Sequence, residues 1–370
     1  MAPCSQPSYE LQEAKALTEG AKAVTVKAAV LKSFCEEVLI KVGLRPKDAS
    51  VVSESLVSAN LRGVDSHGVI RLSPYVKQIV MGGAKAQPDV KVVCDADSVA
   101  VLDGDNALGQ IPSNEAAELA IDKAKKTGAG FVGVRNSGHF GAAAYWALKA
   151  AKHDMIGISM SNTTPTMAIW GGSEPVIGNN PFAIAIPSIG EFPIVADMAT
   201  SVVAWGKVFM AAAKGESIPE GWVLKDGHPV TDPNKARPGG VILPFGGHKG
   251  SAIAIAVEVL SGVLTGSGFT QKVKSMYENP ESPTRSGHFI GAINIEKFMP
   301  IGDFKSRMAE FIGGLKSSKP AANFDEVLLP GEPEFREEAK RLKDGIPLPE
   351  SLFSELEELG RRFGVKPLTT

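Results

Sequence analysis

Three histidines stand beside glycines, where an imidazole can reach a ligand. His67 lies in RGVDSHGVIRL with Arg71 four residues on, His139 lies in NSGHFG, and His248 precedes Lys249 in LPFGGHKGSAIAI. An imidazole titrates near neutral pH and can give or take one proton at a reacting hydroxyl or carbonyl. Arginine's planar fork pairs bidentately with a carboxylate. If Asp65 or Ser66 begins a helix, His67 and Arg71 share a face at i and i+4. A substrate with a carboxylate next to a hydroxyl or ketone could then meet both. The same stretch also reads as a helix start with an ordinary polar face, and His139 as a structural loop residue. Spacing leaves both readings open.

Rival chemistries find less support. No close ligand pair such as HExxH occurs, so no metal is expected. There is no GxSxG, and no cysteine has a histidine nearby in sequence. The one GxGxxG, at Gly128, Gly130 and Gly133, follows a helix and leads into a strand. A dinucleotide fingerprint needs the reverse order, so Gly128 reads as a helix stop. SGHFG is better placed, after a strand and before a helix, where its amides could face an anion. Lys249 at a helix start opposes the helix dipole, which a bound phosphate or carboxylate would offset. The spacing GxxxxGK[ST] is missing there, so ATP is not indicated. Asp197 ends a strand and can cap the next helix or orient a ligand hydroxyl.

These residues need elements to hold them. Val30, Phe34 and Val38 predict a first helix, Val52 and Leu56 a second, and Leu72, Val76, Ile79 and Val80 a third that stops at Gly82-Gly83. VKVVCDADSVAVLDG reads as two strands, and Pro112-Ser113 opens an alanine-rich helix. GFVGVRN, MIGISMSN, NPFAIAIP, FPIVADMA and HFIGAINIEKF read as strands, and WVLKDGHPVT as a hairpin at Asp226-Gly227. SAIAIAVEVLSGVLTG is too short for a membrane span and predicts a buried helix. Phe304, Met308, Phe311 and Leu315 share a helix face. Pro330-Gly331-Glu332 opens a charged helix, and Leu352, Leu356 and Leu359 mark the last one. The expected architecture is a helical unit from both chain ends (26–95 and 303–370), with an α/β unit (96–302) inserted between and a loose leader over 1–25.

The 370 residues exceed one typical core. A formal net charge of -2 with no long basic run gives nucleic acid or an anionic membrane no electrostatic footprint. Cys4, Cys35 and Cys94 form no disulfide or zinc pattern. With no secretory signal visible, a cytoplasmic protein is expected.

Together RGVDSHGVIRL, NSGHFGAAAYWA, GGSEPVIGNNPFAIAIP, DMATSVVAWGK and LPFGGHKGSAIAIAVEVLSGVL resemble the malate/L-lactate dehydrogenase family, the group apart from the Rossmann enzymes. The resemblance runs in order from about Val26 to Pro333. It implies a non-Rossmann, largely antiparallel α/β cofactor domain, NAD or NADP (NAD preferred), a homodimer, and a 2-hydroxy acid substrate, malate or lactate first. Ureidoglycolate, sulfolactate, diketogulonate or cyclic imino acid types are the alternatives. A hydrolase, a lyase or a non-catalytic binder on the same fold are remoter ones. By position, His67 or His139 would transfer the proton, His67 by preference, and Arg71 would clamp the carboxylate with Ser66 nearby. Thr163, Asp197, Met198, Ala199, His248, Lys249, Pro330, Gly331 and Glu332 match cofactor-contacting positions. The family's GTNP loop reads GNNP here, at Gly178 to Pro181.

Overall fold

The computed structural model describes residues 23–190, 192–236 and 239–368. It opens with strand β1 (Ala23–Val26), so Ala23 to Thr25 do not belong to a loose leader; residues 1–22 lie outside the described residues. β1 pairs antiparallel with β12 (Ile346–Pro349) near the other end of the chain. Helices α1 (Ala28–Lys41), α2 (Pro46–Leu61), α3 (Leu72–Met81) and α11 (Glu350–Phe363) gather around that pair. Their apolar faces form one core, with Leu31, Leu39, Leu56, Leu72 and Leu356 fully buried. Each helix is long enough to present a stripe but too short to hold alone, so burial of that stripe holds it.

The second unit is a seven-stranded sheet in the order β2-β3-β4-β11-β5-β6-β7. Its strands are β2 (Lys91–Asp95), β3 (Val99–Ala107), β4 (Ala129–Ser137), β5 (Met155–Ser161), β6 (Phe182–Ile186), β7 (Ile194–Met198) and β11 (Ser286–Asn294). β3 and β4 run parallel; every other neighbouring pair is antiparallel. Helices α4 (Gln110–Thr127) and α5 (Ala143–Ala151) supply the alanine-rich faces that pack on the sheet. Alanine lets a helix lie close to a pleated surface. Gly128, at φ 95°, ends α4 and turns the chain into β4, so the GxGxxG is a helix stop and no phosphate loop.

Between β7 and the long glycine-rich loop lies a smaller cluster. It contains α6 (Trp205–Lys214), the hairpin of β8 (Val223–Lys225) and β9 (His228–Val230), α7 (Pro233–Ala236) and β10 (Val241–Ile242). Asp226 and Gly227 both take positive φ, as the two-residue hairpin requires.

Two helices depart from expectation. The SAIAIAVEVL segment forms α8 (His248–Glu258), followed by a π turn over Val259–Val263. It buries Val257 and several small or polar residues, Ser251, Ala254 and Ser261 among them, while Ile255, Val259, Val263 and Leu264 stay exposed. It is therefore half-buried, because its apolar period is broader than the face the sheet offers. In α9 (Ile301–Lys316) no residue is buried, and Phe311 and Leu315 are exposed. Helix α10 (Glu332–Asp344) follows at the Pro330-Gly331 turn. No helix among the described residues is long and apolar enough to cross a membrane. Cys35 is buried and free, and Cys94 is exposed and free; Cys4 lies outside the described residues.

Candidate active site

A cleft of about 1020 Å³ opens between the helical unit and the sheet. That is the upper end of the ~300–1,000 Å³ range of ligand pockets. Among its lining residues are Ser66, His67, Arg71 and His139 on one side, and Thr163, Asp197, Met198, Ala199 and Gly331 elsewhere.

The stretch Asp65 to Arg71 is not the start of an α-helix. It forms two 3-10 turns, Asp65–His67 and Val69–Arg71, with Gly68 extended between them. Asn60, at the end of α2, imposes this. Its Oδ1 accepts the Val69 N–H at 2.8 Å, and its Nδ2 donates to Asp65 Oδ1 at 2.6 Å. The amide sits so close beneath the turn that a Cβ on residue 68 would lie 2.2 Å from Asn60 Oδ1, so only glycine fits. The i, i+4 argument for pairing His67 with Arg71 therefore fails, yet the two side chains reach the same cleft by another route. Arg71 Nε donates to the Ser66 carbonyl at 2.7 Å, and its guanidinium lies 5.7 Å from the centre of the Tyr277 ring.

His139 follows β4 in the SGHFG crossover. Its ring stacks on that of His67, with centroids 5.5 Å apart and planes 23° from parallel. Its Nδ1 lies 2.6 Å from Tyr75 Oη and receives the Gly141 N–H at 3.3 Å. A backbone N–H can only donate, so Nδ1 accepts and the neutral ring carries its proton on Nε2. Gln110 Nε2 donates to Tyr75 Oη at 2.9 Å. Tyr75 and Gln110 are fully buried, which makes this a fixed relay. Burial and then the Arg71 guanidinium lower His67 to about 3. Burial holds His139 well below the usual imidazole value, helped by His67, Arg71 and His288. Both rings are therefore neutral at neutral pH.

The expected cofactor positions divide. Thr163 Oγ1 donates to Asn179 Oδ1 at 2.9 Å, and its N–H donates to Asn180 Oδ1 at 3.1 Å. Asn179 in GNNP thus has a definite partner. Asn180 is in turn held by Glu258 Oε2 at 2.7 Å. Asp197 caps α5, the helix before it in sequence: its Oδ2 accepts the Ala144 N–H at 3.1 Å. The carboxylate is reachable by solvent yet ringed by protein at longer range. That desolvation raises it to about 6 against the opposing Ala144 amide and Arg62. Pro330, Glu332, His248 and Lys249 are outside the cleft lining. Pro330 accepts the Val195 N–H through its carbonyl. Glu332 is buried in ion pairs with Lys316 and Arg336. His248 and Lys249 are exposed, with His248 6.1 Å from the Trp170 ring.

Several residues escaped sequence reasoning. Tyr75 and Gln110 sit behind His139, and His288 lies between Ser161 Oγ at 2.9 Å and Ser137 Oγ at 2.8 Å, stacked on Phe140. The available signal was a tyrosine four residues after Arg71 inside an apolar helix; nothing in sequence links it to His139. Among the described residues no cluster could hold a metal ion.

Comparison with known proteins identifies the family. Residues 26–357 match the family model described as malate/L-lactate dehydrogenase. A malate dehydrogenase of Pyrococcus abyssi is 44% identical over 346 residues, covering 91% of this chain and 94% of its own. The NAD(+) ureidoglycolate dehydrogenase of Escherichia coli K12 is 35% identical over 327 residues, covering 88% and 93%. The solved sulfolactate dehydrogenase of Methanocaldococcus jannaschii superposes with a TM-score of 0.88 at 41% identity, over 93% of this chain and 98% of that one. With a family model matched over most of its length and relatives of this class over nine-tenths of it, the chain belongs to the malate/L-lactate dehydrogenase family of nicotinamide-dependent hydroxy acid dehydrogenases.

Proposed function

We propose that this enzyme interconverts malate and oxaloacetate with NAD, His139 transferring the proton and Arg71 holding the substrate carboxylate. The observation that carries the reading is the stack of His139 on His67 beside Arg71 in one cleft. The bound nicotinamide supplies the hydride chemistry; the chain's own residues bind, orient and manage the proton. Arg71 takes the 1-carboxylate with its fork, which fixes the neighbouring carbon against His139. His139 presents Nε2 to the substrate oxygen, while Tyr75 and Gln110 hold its Nδ1 side. In reduction the ring, protonated on both nitrogens once substrate is bound, gives its Nε2 proton to the new hydroxyl and keeps the one on Nδ1, which it donates to Tyr75 Oη; in oxidation the free Nε2 takes the proton back. His67 packs the outer face of His139 and keeps it from turning. Burial is the main cause that depresses both rings; a carboxylate on Arg71 offsets the smaller contribution of its charge and so favours the protonated ring when substrate is present.

Thr163, the Asp197-Met198-Ala199 segment and Gly331 form the cofactor side, with Phe140, Trp205 and Phe209 offering walls for planar rings. Pro330 ties the start of the following helix to that side by accepting the N–H of Val195, a lining residue. Preference for NAD rests on charge. Asp197 and Glu334 line the cleft, no described lysine does, and Arg62 pairs with Glu338 at 3.3 Å, so a 2′-phosphate meets no dedicated cation. Preference for malate rests on the relatives bearing that name. A homodimer is supported by the uncovered apolar faces of α8 and α9, and a cytoplasmic setting by the free thiols. One experiment tests the core of this. Oxaloacetate, pyruvate, sulfopyruvate and oxalurate are each mixed with enzyme and NADH or NADPH, and cofactor absorbance is followed. Fastest loss with oxaloacetate and NADH is expected. A different oxo acid in front reassigns the substrate, and no loss with any of them refutes the redox reading.

A further inference from the structure

We infer that Arg341, on α10, is a positioning residue for the carboxylate clamp, acting through Asp65; this rests on the reading of Arg71 as that clamp. Arg341 is buried, and each of its three guanidinium nitrogens has a partner. Nη1 donates to Asp65 Oδ1 at 2.7 Å and to the Asn60 carbonyl at 2.6 Å, Nη2 to Asp65 Oδ2 at 3.1 Å, and Nε to Glu337 Oε1 at 2.6 Å. This two-pronged pair grips the first residue of the turn that carries Ser66, His67 and Arg71. Asp65 Oδ1 also receives Asn60 Nδ2, so the aspartate is held from both sides. The next carbonyl, that of Ser66, accepts Arg71 Nε. The aim of the Arg71 fork thus follows from where Asp65 stands, and Asp65 stands where Arg341 puts it. Arg341, Asp65 and Asn60 themselves lie outside the cleft lining.

The other end of α10 faces the cofactor side. Gly331 caps the helix and lines the cleft, as does Glu334, while the Pro330 carbonyl is tied to the Val195 N–H at 2.9 Å. From Gly331 to Arg341 is about 15 Å along a helix. Helix α10 is therefore a strut between the two ends of the site, and Arg341 is its contact with the substrate end.

The test compares Arg341→Lys, Asp65→Asn, Arg71→Lys and the double variant Arg341→Lys/Arg71→Lys in the full chain. NADH affinity is read by fluorescence, folding by thermal melting, and KM and kcat for oxaloacetate by turnover. Lysine cannot span both Asp65 oxygens, so Arg341→Lys should raise KM about tenfold with kcat within a few-fold and NADH affinity unchanged. Asp65→Asn should do the same, and serves if Arg341→Lys melts early. The double variant should be no worse in KM than Arg71→Lys alone, because Arg341 acts only through Arg71. A lowered kcat in proportion to lost folded protein, with KM unchanged, would show a purely structural pair and overturn the inference. Multiplying KM effects in the double variant would overturn it too. If Arg71→Lys itself leaves KM unchanged, the clamp reading has failed, separately from the role of Arg341.

Discussion

Tyr75 Oη lies 2.6 Å from Nδ1 of His139, inside a helix whose preceding turn carries Arg71. The hydroxyl receives Gln110 and holds the imidazole, so its removal takes orientation from the ring and leaves Gln110 Nε2 buried without a partner. Tyr75→Phe should lower kcat about tenfold and leave NADH affinity within twofold. Steady-state kinetics with a fluorescence titration decide it; unchanged kcat would mean that Gly141 alone suffices to orient the ring.

The two histidines should separate on mutation. His139→Ala removes the buttressed ring, and a loss of about 10²–10⁴-fold in kcat is expected for a general acid–base group. His67→Ala removes the packing partner and should cost about tenfold or less. The reverse order, measured by single-turnover kinetics at saturating NADH, would move the proton-transfer role to His67.

Arg71→Lys should raise KM for oxaloacetate by roughly 10–100-fold, since a lysine cannot reproduce two parallel bonds to a carboxylate. The Michaelis constant for NADH should stay within twofold. An unchanged KM for oxaloacetate would remove Arg71 from the substrate.

How much of this was legible in the sequence varies by residue. The periodic helices and alternating strands stood out because burial enforces the periods. So did the failure of GxGxxG, because order of elements is a one-dimensional property. The turn at Asp65 to Arg71 was misjudged because its shape is set by Asn60, which reaches up from the preceding helix through side-chain bonds that no local pattern encodes. Tyr75 and Gln110 were unreadable for a similar reason: 64 residues separate Tyr75 from His139, and only the packing of α3 against the loop after β4 joins them. Helix α8 looked buried because apolar content reports the wish for cover, not what supplies it.

Carboxylate binding should take up protons. His67 stands at about 3 and His139 well below its usual value, each depressed in part by Arg71. A bound carboxylate offsets that charge, raises both values, and draws a proton in at pH values between the free and bound ones. The affinity of an unreactive analogue such as tartronate should therefore weaken as pH rises through the bound-state value. Calorimetry in buffers of different ionisation enthalpy measures the uptake directly. Zero uptake from about pH 5 to 8 would show that neither ring responds to the anion.

His288 makes a prediction about stability. It is fully buried and lowered to about 3, chiefly by burial. Its unfolded value is about 6.5, so below that pH the unfolded chain binds a proton the folded chain refuses. Its contribution is full above about pH 6.5 and is lost as pH falls toward 3, by on the order of 5 kcal/mol in total. His288→Asn should lower the urea midpoint at pH 7 but flatten its decline between pH 6.5 and 4.5. An equally steep decline in the variant would place the pH sensitivity elsewhere.

The pairing of β1 with β12 sets an order of events during synthesis. The last sheet strand, β11, is complete at Asn294, whereas Ala23–Val26 must wait for Ile346–Pro349 before its ladder can form. The inserted sheet can therefore collapse on the ribosome while the opening helices remain without their closing strand, and non-local closure of this kind is slow. Loss of a few residues around Ile346 would thus leave a formed sheet attached to an unfinished cap, with apolar helix faces open to aggregation.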